Sequence, residues 1–210
     1  MIPNTVLRAA AISLLISASA HAEDKSSVSP AELKAKIDYC KTCHGVNGQG
    51  FRGAAPMPRL AGQQPDYIKN QLQAFIDKRR ANPVMNNVAH VLSPAMLQGL
   101  ADYFQSLNPK PLGGAPHDQV AAGEKIYKEG LGDKVPACAS CHGADAHGNG
   151  EFPRLAGQLN DYMFRKLTNW EKERGQDKNK PDTSAIMQPI AHDLTPDQIK
   201  AVAAYLSYLE

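Results

Sequence analysis

The chain has 210 residues, of which 42% are hydrophobic, 6% aromatic and 21% charged. Its formal charge at pH 7 is +2, with Lys and Arg interleaved among Asp and Glu. That balance lacks the basic patch and the aromatic density that nucleic-acid recognition uses, and it argues against that class of function.

Residues 1–22 read as a secretory signal peptide. Arg8 supplies the cation, Ala9 to Ala20 the apolar run, and Ala20-His21-Ala22 a small-x-small cleavage pattern ahead of Glu23-Asp24-Lys25. An apolar run of about a dozen residues is shorter than the roughly 20 that span a bilayer, so a cleaved leader is expected and not an anchor. No later stretch is as apolar, and the mature chain is expected to be exported and free of integral membrane segments.

The first helix is predicted from Ser29-Pro30-Ala31-Glu32, which offers an N-cap, a first-turn proline and a capping-box glutamate. Leu33, Ile37 and Cys40 follow at helical spacing, so this helix runs into Cys40-Lys41-Thr42-Cys43-His44. A segment Pro58-Arg59-Leu60-Ala61-Gly62-Gln63 leads to Asp66-Tyr67 and a middle helix with Ile68, Leu72, Phe75 and Ile76 on one face. Met85 and His90 lie in a stretch with Pro and Asn that reads as a loop. Ser93-Pro94 then caps a last helix carrying Leu97, Leu100, Ala101, Phe104 and Leu107.

From there the pattern is written again. Cys138-Ala139-Ser140-Cys141-His142 repeats the cysteine motif at an offset of 98, and Pro153 to Gln158 repeats Pro58 to Gln63 at 95, as Asp161-Tyr162 repeats Asp66-Tyr67. Leu194-Thr195-Pro196 and the apolar positions of the last helix repeat at 102. Met163, Leu167 and Trp170 are the counterpart of the middle-helix face. A period this long, used twice, is a domain duplication and not a solenoid. The Pro- and Gly-dense segment 108–116 separates the copies. The expected organisation is therefore a leader (1–22), a first domain (23–107), a linker (108–116) and a second domain (117–210). With no alternating strand of five or more residues, the fold class is all-α. Modules of this size have thin cores, and a large apolar group at the centre of each would supply missing burial.

Cys-x-x-Cys-His is the attachment signature of c-type haem. Two cysteines three apart form thioethers to the two vinyl groups on one haem edge, and the adjacent histidine projects over the face to ligate iron. The expected cofactors are two covalently bound haem c groups, held by Cys40 and Cys43, and by Cys138 and Cys141, with His44 and His142 as axial ligands. A zinc ribbon would need the two pairs much closer in sequence. A thioredoxin-like pair would need a strand-helix context. Two disulfides would leave the twin histidines unexplained.

The sixth ligand separates electron carrier from enzyme, because an iron with no open position exchanges electrons without binding substrates. Of the methionines, only Met85 and Met187 correspond through the repeat, at the offset of 102. Met57, Met96 and Met163 have no methionine counterpart and read as packing residues. His90 and His192 also correspond at 102, so bis-histidine ligation stands as the competing assignment. His117 and His147 have no partner in the repeat.

The paired cysteine motifs, the two Pro-Arg-Leu-Ala-Gly-Gln segments, Asp-Tyr before the middle helix, and one methionine per module ahead of Leu-Ser or Leu-Thr together resemble the di-haem cytochromes of the c4 type. The resemblance covers essentially the whole mature chain. It implies two class I cytochrome c domains related by approximate two-fold symmetry. It also implies His/Met ligation by His44 with Met85 and His142 with Met187, and a periplasmic electron carrier between a respiratory donor complex and a terminal oxidase or reductase. By analogy with single-domain cytochromes, a carbonyl of the Pro58 and Pro153 segments would accept the imidazole N–H. The chain departs from the pattern in its first module, which lacks the glycine that Gly123 supplies, four residues before Tyr127, in the second. The competing functions are a di-haem enzyme, of peroxidase or thiosulfate-oxidising type, and a fixed electron-transfer subunit of a larger complex.

Overall fold

A computed structural model describes residues 27–174 and 182–210, and the expected leader over residues 1–22 lies outside them. Among the described residues the chain is helical, with isolated β-bridges such as Phe51–Met57 and Asn149–Phe152 and no strands. No helix among them is long and apolar enough to cross a membrane.

The first module contains α1 (Pro30–His44), α2 (Pro65–Ile76), α3 (Pro83–Ala89) and α4 (Pro94–Gln105). The second contains α5 (Val120–Glu129), α6 (Ala139–His142), α7 (Asn160–Thr168), α8 (Trp170–Glu173), α9 (Ser184–Asp193) and α10 (Pro196–Tyr208). The capping box predicted for α1 forms: Ser29 N–H donates to the Glu32 carboxylate at 3.0 Å, and Glu32 N–H to Ser29 Oγ at 3.3 Å. Thr195 makes the same arrangement with Gln198 at the start of α10. Replacing Thr195 by alanine is expected to cost about 1 kcal/mol, the usual worth of such a cap, read as a lower denaturation midpoint with an unchanged slope.

The first helix of the second module is split, because Gly130 takes a φ of +73° and the chain folds back through Leu131 N–H to the Val135 carbonyl at 2.7 Å. Two local features differ from the sequence expectations. The middle helix stops at Thr168. Asn169 leaves helical geometry (φ −111°, ψ 21°) and its amide donates to the Arg165 carbonyl at 3.0 Å, which caps α7 and starts Trp170 on a separate turn. Met85 and Met187 lie on α3 and α9 and not in loops. Asn82 caps α3, accepting the Met85 N–H at 3.0 Å, and Pro83 suits its first turn.

Each module packs its last helix against its first. Gly123 on α5 lets the chains touch backbone to backbone: a Cβ there would lie 1.9 Å from the Ala201 carbonyl oxygen of α10. The first module makes its crossing differently. Gly99 on α4, 102 residues before Ala201, makes room for Leu33 of α1, whose Cδ1 would lie 2.9 Å from an added Cβ. Ile37, Phe75, Leu97, Leu100 and Phe104 fill the first core, and Ile126, Tyr127, Met163, Val202 and Leu206 the second.

The repeated Pro-Arg-Leu-Ala-Gly-Gln segments meet across the modules. Gln63 accepts the Arg154 N–H at 2.7 Å and donates to the Arg154 carbonyl at 3.0 Å. Gln158 does the same to Arg59, at 2.8 and 3.0 Å. A second reciprocal set lies beside it: Arg80 donates to the Tyr162 hydroxyl at 2.8 Å, Arg174 pairs with Tyr67, and both guanidiniums donate to Gln71. Residue i meeting j while j meets i is the signature of a two-fold interface, here within one chain. The linker is pinned as well, with the Tyr208 hydroxyl donating to the Ala115 carbonyl at 2.5 Å.

Candidate metal centres

In the first module α1 carries Cys40, Cys43 and His44 on its last turn, and Gly45, at φ +86°, ends the helix at once. In the second, α6 supplies Cys141 and His142 after Cys138, and Gly143, at φ +83°, ends it in the same way. The turn that follows is also repeated: Gly50 N–H bonds the His44 carbonyl at 2.8 Å, and Gly148 N–H the His142 carbonyl at 2.9 Å. The chain thereby brings Pro58 back to His44 and Pro153 back to His142. Each imidazole Nδ1 lies 2.9 Å from the proline carbonyl oxygen. A carbonyl only accepts, so Nδ1 carries the proton and Nε2 keeps its lone pair. Burial lowers both histidine pKa values, with 7% and 5% of the two residues exposed, and holds the rings neutral. This is the tautomer and charge state in which a histidine binds a metal through Nε2.

None of the four cysteines is in a disulfide. Burial pushes the Cys40 thiol up to about 11 and raises Cys138 as well. Redox-active Cys-x-x-Cys pairs do the opposite, lowering a thiol pKa to make a thiolate. Among the described residues no three His, Cys, Asp or Glu side chains gather as a metal-ion ligand set, so the two motifs do not converge as the pairs of a zinc ribbon would.

Met85 is half-buried against the first core, whose margin also includes Cys40. Asn86, the next residue, holds α3 on the end of α2 by donating to the Phe75 carbonyl at 2.7 Å. Met187 is half-buried on α9, whose start is tied to the Trp170 indole N–H through the Ser184 carbonyl at 3.3 Å and to Arg79 of the first module through Asp182. Their histidine competitors face solvent. The His192 side chain is 70% exposed and lies 3.3 Å from Glu171, and exposed His90 sits against the Asn87 carbonyl at 2.7 Å. Met96 and Met163 are core residues, 8% and 6% exposed.

Sequence reasoning did not single out the four arginines buried between the modules. Arg59, Arg154, Arg80 and Arg174 are each under 9% exposed. Burial and then the nearby Arg154 push Arg59 down to about 10, and burial lowers Arg154. One N–H group on Arg59 and one on Arg154 find no protein acceptor. Buried guanidinium N–H groups without partners are costly and call for anionic acceptors. Two haems bring carboxylates, thioether-forming vinyl groups and apolar faces. The cysteines left out of disulfides, the oriented histidines and these orphaned donors fit them. The signal in the sequence was the repeat itself, since Arg59, Gln63 and Tyr67 recur at the offset of 95 as Arg154, Gln158 and Tyr162, while Arg80 and Arg174 stand 94 apart.

A family model described as cytochrome c matches residues 33–108 and 120–210. Among curated relatives, cytochrome c-552 of Acidithiobacillus ferridurans is 37% identical over 93% of this chain and 84% of its own length. Cytochrome c4 of Thiocapsa roseopersicina is 38% identical over 81% and 86%. A thiosulfate dehydrogenase electron acceptor of Thiomonas intermedia (strain K12) is 37% identical over 80% and 77%. The crystal structure of reduced recombinant cytochrome c4 from Pseudomonas stutzeri superposes with a TM-score of 0.74 at 31% identity, covering 88% of this chain and 100% of that one. Two cysteine-histidine motifs in tandem helical modules, matched over nearly their whole extent, place the chain in the cytochrome c family, as a di-haem electron-transfer cytochrome of the c4 type with two covalently bound haem c groups.

Proposed function

We propose that the protein is exported to the periplasm and carries single electrons between a respiratory donor and a terminal oxidase or reductase. In this reading Cys40 and Cys43 hold one haem by thioethers, with His44 and Met85 on its iron. Cys138 and Cys141 hold the other, with His142 and Met187. The observation that carries it is the pair of buried neutral histidines, each with Nδ1 tied to a proline carbonyl and Nε2 left to ligate. Bound haem supplies one-electron chemistry at the iron. The chain's own part is to hold both axial groups in fixed orientation, keep water from the histidine side, and join the two modules through a hydrogen-bonded seam. The exposure of His90 and His192 supports methionine as the sixth ligand. With all four cysteines in thioethers, no cysteine remains to ligate iron.

A second reading has the protein serve as the electron acceptor of a thiosulfate-oxidising enzyme, as the name of the Thiomonas relative describes that protein. Both readings need six-coordinate iron at each site. The oxidised absorption spectrum of the purified protein is expected to show the weak far-red band of methionine-sulfur ligation with two haems per chain, and no peroxide turnover. Absence of that band would overturn the methionine assignment. Reduction by a thiosulfate dehydrogenase faster than by respiratory donors would select the second reading.

A further inference from the structure

The proline carbonyl that accepts each histidine proton belongs to a peptide group whose other end is bonded across the molecular seam. His44 Nδ1–H donates to the Pro58 oxygen, and the N–H of that same peptide group, on Arg59, donates to Gln158 of the second module at 2.8 Å. In mirror fashion His142 donates to the Pro153 oxygen, and Arg154 N–H donates to Gln63 of the first module at 2.7 Å. Both glutamines are buried, at 6% exposure, and each is braced by a second bond from its amide to the carbonyl of the same arginine. Side-chain freedom is therefore small and the relay is held in line.

We infer that Gln158 of the second module sets the electron donation of His44, and Gln63 of the first module that of His142, so that each module tunes the other's haem. This rests on the proposed axial ligation by the two histidines. Hydrogen bonds in a chain polarise one another. When glutamine oxygen draws on the peptide N–H, the carbonyl oxygen at the other end becomes more negative and accepts more strongly from the imidazole. An imidazole that donates its Nδ1 proton more strongly is a more basic ligand, and a more basic ligand favours Fe(III) over Fe(II). The two glutamines are positioning residues, acting through a peptide group on a ligand they do not touch. The seam between the modules is thus part of each haem's ligand environment.

The crossed pattern gives the test. Gln158→Leu removes the acceptor and is expected to shift the Fe(II)/Fe(III) equilibrium of the first-module haem about threefold toward Fe(II), which is about 28 mV at ~59 mV per decade for one electron. Gln63→Leu is expected to do the same to the second-module haem. Individual potentials are read from redox titrations followed by the hyperfine-shifted haem methyl signals of each site. Tyr162→Phe serves as the control, because it loses a cross-module bond from Arg80 (2.8 Å) that touches neither relay, and it is expected to move neither potential. Gln158→Glu keeps an acceptor on Arg59 N–H and is the variant to use if leucine unfolds the seam. Its expected effect is a shift toward Fe(III), larger at the first-module haem than at its own. A shift confined to the substituted module, equal shifts at both sites, or none would overturn the inference. Native spectra lacking hyperfine-shifted imidazole N–H resonances of His44 and His142 would overturn the ligation reading as well. Their presence with unresponsive potentials would overturn this inference alone.

Discussion

Met187→Ala is expected to remove the far-red sulfur band of one haem and leave that of the other intact, and Met85→Ala to do the reverse. In the proposed ligation alanine cannot reach iron from α9 or α3, and the affected site loses its sixth ligand. Axial ligands set haem potentials over a range of about 0.8 V, and loss of the thioether is expected to lower that site's potential by on the order of 0.1 V. The vacated position would also bind small ligands, so carbon monoxide should bind the reduced variant at one site and the native protein at neither. His90→Ala and His192→Ala are expected to change none of these, since both imidazoles lie in solvent and bond to their own surroundings. A far-red band left at full intensity in Met85→Ala, or a native site that lacks the band and turns high-spin in His90→Ala, would overturn the assignment.

Gly123→Ala is expected to be the most destabilising single methyl addition in the chain's helices. The new Cβ would stand 1.9 Å from the Ala201 oxygen and 2.5 Å from its carbonyl carbon. Both are backbone atoms of α10, so no rotamer change relieves the clash, and α5 must move off the helix it packs against. Overpacking usually costs about 1–3 kcal/mol, and a rigid backbone contact belongs at or above the top of that range. For a module of this size each kcal/mol lowers the melting temperature by roughly 4–8 °C. Gly99→Ala makes the informative contrast. Its added Cβ meets the tip of Leu33 at 2.9 Å, a side chain that can turn aside, and a cost below about 1 kcal/mol is expected. Thermal unfolding followed by far-ultraviolet circular dichroism separates the two. Equal losses would mean that the two terminal crossings are packed alike.

Much of the local design was legible in the sequence because it depends on residues a few positions apart. The capping residues Ser29, Ser93 and Thr195 start the helices they were expected to start. The proline-carbonyl contact to each histidine was expected by analogy and is present at both sites. The methionine helices were read as loops, since Asn and Pro near Met85 look like turn residues until Asn82 is seen to cap and Pro83 to open a short helix. Trp170 was placed on the middle helix because its apolar spacing fits, whereas the Asn169 side chain competes for the helix carbonyls and ends it. The glycine that the first module lacks does change the packing: Gly123 admits the backbone of α10, whereas Gly99 makes room only for the Leu33 side chain.

The sequence by itself determined the chemistry and the count: Cys-x-x-Cys-His spacing specifies covalent haem, and the duplication specifies two of them in an all-α chain. Those features are local, written within five residues or repeated at constant offset, so no folding information is needed to read them. Only the tertiary structure decided how the copies face each other. Gln63 and Arg154 are separated by 91 residues, and Gln158 and Arg59 by 99. No periodicity links such positions, because their pairing depends on the fold of both modules and on the burial that makes each polar group find a partner. That pairing joins each histidine's proline carbonyl to the opposite module, and so makes one molecule of two repeated halves.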